Sequence, residues 1–309
     1  MHISCTSLLG LRGMSRDDLI GLLDRAAECL PMVTGQEPSV PSSGPRRIVA
    51  NLFLEDSTRT RCSFEIAAKR LGHDTVNLTA KGTSVSKGEN LLDTAATIAA
   101  MGVDSIVIRC SESGGAALVQ AATGKPVINA GDGRHEHPTQ GLLDAFTLRQ
   151  SLGTLDGKTI LIVGDIDNSR VARSNVYGLT TLGAQILLVG PPNLVSPRMC
   201  ELVPEGVEIS HDLDEAMTRA DAVMMLRVQR ERGASKAISS DYRSAFGLNV
   251  DRASRLSTGV PILHPGPSNR GFEIDDEVHD DPDRSLIRDQ VTNGVAIRMA
   301  VLERSMKLD

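Results

Sequence analysis

Short apolar runs alternate with longer stretches of helical periodicity along most of the chain, and this alternation is the tightest constraint on its fold. Residues 48–54, 75–78, 105–108 and 126–129 have the length and apolar content of buried strands, with helical patterns between them near 64–71, 91–101 and 116–122. Parallel strands need a crossover long enough to return along the sheet, so strand, helix and strand in succession specify parallel βαβ units. Turn residues at 150–157 interrupt the series, which resumes with apolar runs at 159–163, 185–189, 207–209, 222–226 and 261–263. The expectation is an α/β protein with two doubly wound domains, each a mainly parallel sheet flanked by helices. Residues 1–150 form the first, joined by a C-terminal helix at about 287–309, and residues 151–286 form the second. Right-handed crossovers place the strand-to-helix turns along the carboxyl edge of each sheet, where α/β proteins bind ligands.

Composition supports this class. The 309 residues are 40% hydrophobic but only 2% aromatic, without Trp, so the cores must be filled by Ala, Val, Ile, Leu and Met, as suits helices layered on parallel strands. A net charge of −6 gives no reason to expect nucleic acid or an anionic membrane surface as partner. Cys5, Cys29, Cys62, Cys110 and Cys200 are odd in number and lack metal-ligand spacing, which argues for reduced thiols rather than disulfides or zinc. No apolar stretch reaches transmembrane length and the N-terminus carries no secretory pattern, so a cytoplasmic location is expected. Ser15–Asp18 reads as a capping box opening a helix that Pro31 closes.

The polar candidates fall at the carboxyl ends of the expected strands. After the first comes Ser57-Thr58-Arg59-Thr60-Arg61, at a helix start whose free N–H groups and dipole favour an anion. The bland alternative, a cap beside a solvated basic face, leaves unexplained why two guanidinium groups sit in a first turn that repels cations. Residues 80–89 form a polar stretch that carries Lys81 and Lys87, with Gly82 and Gly88 to permit hinging, either a flexible basic loop or a lid. Arg109 follows the third strand. His137-Pro-Thr-Gln140 opens a helix with an amphipathic run at Leu142, Leu143, Ala145, Phe146 and Leu148; His135 and His137 lack the further ligands a metal would need. In the second domain the 163–170 turn lacks the second and third glycines of a dinucleotide loop. Arg170 and Arg227 follow strands of one sheet. Each alone reads as a surface residue, but together they can converge on the two carboxylates of a small dicarboxylic acid. His264-Pro-Gly-Pro267 makes a stiff turn after the last strand.

Ser-Thr-Arg-Thr-Arg-x-Ser-Phe-Glu at 57–65 resembles the carbamoyl-phosphate loop of the aspartate/ornithine carbamoyltransferase family, and residues 83–89 resemble its mobile loop. His137-Pro-Thr-Gln140, Arg227-Val-Gln229 and His264-Pro-Gly-Pro267 follow in the family's order and take the form of its aspartate-using members; ornithine-using members carry His-Pro-Cys-Gln and His-Cys-Leu-Pro. The resemblance implies transfer of the carbamoyl group of carbamoyl phosphate to L-aspartate, giving N-carbamoyl-L-aspartate and phosphate early in pyrimidine synthesis, with no cofactor. It assigns Ser57, Thr58, Arg59 and Thr60 to phosphate, Thr60, Arg109 and His137 to the carbonyl oxygen, and Gln140 to the carbamoyl amide. Lys87, Arg170, Arg227, Gln229, Gly266 and Pro267 go to aspartate. It also implies a homotrimer in which Ser84 and Lys87 enter the neighbouring subunit's site, within reach of larger assemblies with regulatory chains or dihydroorotase. The rivals are a carbamoyltransferase for ornithine or another amine, and an inactive homologue acting as a scaffold.

Overall fold

The computed structural model describes residues 7–38, 45–79, 89–203, 205–228 and 241–306. Two compact units divide the chain: Met1–Leu143 with Val291–Asp309, and Asp144–Gln290.

In the first unit β1 (Ile48–Phe53), β2 (Asp74–Thr79), β3 (Ser105–Cys110) and β4 (Val127–Asp132) form a four-stranded sheet in the order β2-β1-β3-β4. Every pairing is parallel. The inner strands β1 and β3, along with β4, are buried nearly throughout, whereas the edge strand β2 is largely solvent-facing. Ala50, Leu52, Ile106, Ile108, Ala95, Ile98 and Val119 share one apolar cluster, so small aliphatic side chains do the work that aromatics would do elsewhere. Helices α2 (Thr58–Arg70), α3 (Leu91–Ala100) and α4 (Gly115–Thr123) make the crossovers.

Helix α1 (Arg16–Thr34) opens as the sequence suggests, with the Ser15 hydroxyl accepting the Asp18 N–H at 3.1 Å. It does not close at Pro31, which lies inside it. Proline gives up its own N–H and crowds the preceding turn, yet here its carbonyl accepts the N–H groups of Gly35, Gln36 and Glu37, and the stop falls at Gly35, in the left-handed region at φ 78°. The C-terminal helix, Ile287–Met306, returns to this unit through Arg25, whose Nε meets Glu303 at 2.7 Å, and through the Ser105 and Ser305 hydroxyls, 3.4 Å apart.

The second unit holds β5 (Thr159–Val163), β6 (Gln185–Val189), β7 (Val207–Ser210), β8 (Ala222–Met225) and β9 (Ile262–Leu263), parallel throughout, in the order β7-β6-β5-β8-β9. Its core gathers Leu161, Val163, Leu187, Val189, Val223, Met225 and Ile262. Helix α5 (Pro138–Leu152) passes from one unit into the next. Expected to be amphipathic, it is instead buried on all sides from Pro138 to Leu148, and its buried Asp144 is satisfied by Asn175 and Gln290. Among the described residues no helix is long and apolar enough to cross a membrane.

Candidate active site

In the first unit, β1 delivers the chain to the N-terminus of α2 at the carboxyl edge of the sheet. Ser57 is the N-cap, yet its side chain makes no capping bond, and the first turn holds no acidic residue. Without that cap, the free N–H groups and the dipole of the helix start suit an external anion. Arg59 stands in that turn with no side-chain partner among the described residues. Solvent reaches it, but the protein crowds it enough that desolvation lowers its pKa from the ordinary guanidinium value. Its neighbour differs: Arg61 faces Glu65, which Lys69 also holds at 2.6 Å. Of the two arginines in the motif, Arg59 is the one that no carboxylate among the described residues compensates. Thr60 is buried beside it.

Register places Arg109 beside this turn. Phe53 of β1 pairs with Arg109 of β3, and the Leu54 N–H donates to the Arg109 carbonyl at 2.8 Å. The strand thus extends past Ile108, and Arg109 lies within it rather than after it. Its side chain reaches Glu55, 3.5 Å from Nε, and the Ala130 carbonyl, 3.5 Å from Nη1. Glu55 escaped the reading of the sequence; the available signal was the Glu55-Asp56 pair between an apolar strand and a basic helix start.

The loop after β4 supplies His137, and the first turn of α5 supplies Gln140, both buried. The His137 carbonyl accepts the N–H groups of Gln140 (2.9 Å) and Gly141 (3.1 Å), which begins α5 and fixes the direction in which it leaves the sheet. Two carboxylates brace this loop. Glu136 accepts the Leu11 N–H at 2.7 Å, and Asp132 receives His135 Nδ1 at 3.0 Å, Asn129 Nδ2 at 2.8 Å and the Glu136 N–H at 3.1 Å. Burial opposes ionisation of Asp132, but these bonds together hold its pKa below the usual carboxylate value. His135 therefore serves the loop as a partner of Asp132. Because β1, β3 and β4 are adjacent in the sheet, the Ser57–Thr60 turn, Arg109 and the His137 loop share one edge.

The second unit brings its own candidates to the carboxyl edge of its sheet. Arg170 is the first residue of α6 (Arg170–Thr181), whose N-cap Ser169 accepts the Ala172 N–H at 3.0 Å. Arg227 follows β8, the neighbour of β5. Gly164 lets these two strand ends close up: its φ is 141°, and a Cβ there would sit 3.0 Å from both the Cβ and the carbonyl oxygen of Leu226. That glycine answers to a backbone approach, not to a nucleotide. The proline turn is tied to the same edge. Asn269 Nδ2 donates to the Val228 carbonyl at 3.1 Å and to Glu273 at 3.0 Å, and the Asn269 N–H also bonds Glu273. Within the turn Gly266 has φ 62°, the Gly266–Pro267 peptide is cis, and Pro267 is exposed. Ser84, Lys87 and Gln229 lie outside the described residues.

Residues 6–150 match the family model described as the carbamoyl-P binding domain of aspartate/ornithine carbamoyltransferase, and residues 156–304 match its Asp/Orn binding domain. An aspartate carbamoyltransferase catalytic subunit from Myxococcus xanthus is 53% identical over 298 residues, covering 96% of this chain and 98% of its own length. One from Granulibacter bethesdensis is 49% identical, with 96% and 93% covered. Among solved structures, the Trypanosoma cruzi aspartate transcarbamoylase in complex with carbamoyl phosphate and aspartate superposes with a TM-score of 0.87 at 30% identity, covering 97% of this chain and 96% of that one. The ornithine carbamoyltransferase of Pyrococcus furiosus superposes nearly as well, at 0.86 and 26% identity over 98% and 97%. The backbone likeness is thus common to enzymes of both amines and does not separate them.

Proposed function

The chain belongs to the aspartate/ornithine carbamoyltransferase family, and from that membership we infer that it transfers the carbamoyl group of carbamoyl phosphate to the amine of L-aspartate, giving N-carbamoyl-L-aspartate and phosphate. Relatives at about half identity over nearly full length carry the aspartate assignment. The observation in this molecule that carries the phosphate half is the N-terminus of α2, with an uncapped Ser57 and a guanidinium at Arg59 that no carboxylate among the described residues neutralises.

The reaction needs a phosphate held as leaving group, a carbonyl polarised toward an oxyanion, and an amine placed in line with it. Ser57, Thr58, Arg59 and Thr60 are assigned to the phosphate; Thr60, Arg109 and His137 to the carbonyl oxygen; Gln140 to the carbamoyl NH2. The amine lone pair attacks the carbonyl carbon, the carbon–oxygen bond to phosphate breaks with its electron pair leaving on phosphate, and the amine's proton passes to the departing phosphate. Since the acyl group arrives activated, no covalent nucleophile or cofactor is called for. Arg170 and Arg227 suit the two carboxylates of aspartate and repel the cationic side chain of ornithine, and the Gly266–Pro267 turn is assigned to the amino-acid end. Gln229 and Lys87 join the aspartate set, with Ser84 and Lys87 coming from a neighbouring subunit of a homotrimer. The product feeds pyrimidine synthesis in the cytoplasm.

Phosphate release from carbamoyl phosphate, measured alone, with L-aspartate and with L-ornithine, tests the reading. Release dependent on aspartate and indifferent to ornithine is the expected outcome. Ornithine-dependent release would move the chain to the other branch, and release dependent on neither amine would leave a transferase for another amine or a scaffold.

A further inference from the structure

A buried amide joins the proline turn to helix α5. Gln290, near the start of the C-terminal helix and 3% exposed, accepts the His264 N–H at Oε1 (2.9 Å) and donates from Nε2 to Asp144 Oδ1 (2.7 Å). The second oxygen of Asp144 receives Asn175 Nδ2 at 2.8 Å. Asp144, Asn175 and His264 are all buried as well.

His264 passes the constraint on. Its Nδ1 accepts the Gly266 N–H at 2.8 Å, so the proton of the neutral ring belongs on Nε2, which faces the buried Glu273 at 3.4 Å. A continuous chain of bonds therefore runs from α5 through Gln290 and His264 to the backbone of Gly266. Its direction is fixed by chemistry: the Gln290 amide accepts from a backbone N–H at its oxygen and donates to a carboxylate from its nitrogen, and neither end can take the other's place. A polar contact serving stability alone could end anywhere. This one ends on the turn assigned to the amino-acid substrate.

We propose that Gln290 is a positioning residue for the amino-acid half of the site, setting the Gly266–Pro267 turn through His264, and that Asp144 fixes which way the Gln290 amide faces. The proposal rests on the aspartate-transfer reading, so turnover of L-aspartate by the unmodified protein is measured first; its absence strikes that reading and not this one.

The test is an exchange of roles. Gln290→Glu keeps the acceptor for the His264 N–H but sets a carboxylate against Asp144. The KM for L-aspartate should rise about ten- to hundredfold at neutral pH, as expected when a buried like-charge pair is created, and recover as falling pH lets the pair share a proton. Adding Asp144→Asn reverses the order without breaking it: the new amide donates to the new carboxylate and still accepts from Asn175. That double variant should return KM to within about threefold of the unmodified value, with the carbamoyl-phosphate Kd, by calorimetry, held within about twofold throughout. Gln290→Met, which fills the space and drops both bonds, should raise KM with no recovery at lower pH. An aspartate KM unchanged in either single variant, a flat pH response in Gln290→Glu, or a folded double variant that stays impaired overturns the proposal. If Gln290→Glu does not fold, the double variant and Gln290→Met decide between the same outcomes.

Discussion

Arg59 and Arg227 carry the same charge into different halves of the chemistry, and single substitutions should separate them. Arg59→Ala removes a guanidinium that no described side chain engages, so melting should shift little while kcat/KM for carbamoyl phosphate falls by about 10²–10³, the usual scale for one preorganised donor to a developing anion. Steady-state kinetics with a thermal melt checks both arms. Arg227→Ala should raise the aspartate requirement and spare the binary complex with carbamoyl phosphate; calorimetric loss of that complex with aspartate use intact would contradict the division. A third residue answers to pH rather than substrate. Asp214 is held down to about 2 by hydrogen bonds from Arg252, then from Arg255, against some desolvation. A carboxylate whose folded pKa is depressed contributes stability that is in place above its unfolded value of about 3.9 and is lost as pH falls through the folded one. Urea midpoints should therefore fall between about pH 4 and pH 2, and Asp214→Asn should flatten part of that fall. An unchanged slope in the variant would remove Asp214 from the account.

Among the elements, β5 and β8 make the sharpest demand on one position. Gly164→Ala forces a side chain into a φ of 141° and against the carbonyl of Leu226, where nothing nearby is a flexible tip that can yield. The cost should be about 1–3 kcal/mol in urea unfolding, together with a raised aspartate KM, because the Arg170 and Arg227 loops issue from the two strand ends being pushed apart. A stability loss without any kinetic effect would mean that strand spacing does not set the site. The strands themselves were legible in the sequence, since a buried parallel strand announces itself by apolar content and length. The turn residues at their carboxyl ends were legible for a related reason: once alternation fixes the topology, it fixes which edge they share. What stayed hidden depended on partners far away. Pro31 reads as a stop, but its carbonyl is taken up by the three N–H groups that follow and the helix runs on to Thr34. The polar residues of α5 suggest an exposed face, yet Asp144 is buried against Gln290, 146 positions along the chain. Glu55 gains its meaning only when register sets Arg109 beside it.

For the whole molecule, the decisive prediction concerns assembly. If Ser84 and Lys87 complete a neighbour's site, the active unit is a closed cyclic trimer with heterologous interfaces, and no subunit owns a whole site. Lys87→Ala and Arg59→Ala chains, each strongly impaired alone, then carry lesions on opposite sides of a shared boundary. At one kind of junction in a mixed trimer, an Arg59→Ala chain lends an intact Lys87 to a neighbour whose phosphate turn is intact. That site contains both functional halves and should turn over, while the opposite junction collects both lesions and stays silent. Mixing under conditions that exchange subunits should therefore restore part of the activity, at a level set by the fraction of hybrids. A subunit that owned its whole site would keep one lesion in every site, and no mixing ratio would help. Native mass measurement establishes that hybrids have formed before activity is read, and confirmed hybrids without turnover would rule out the shared site.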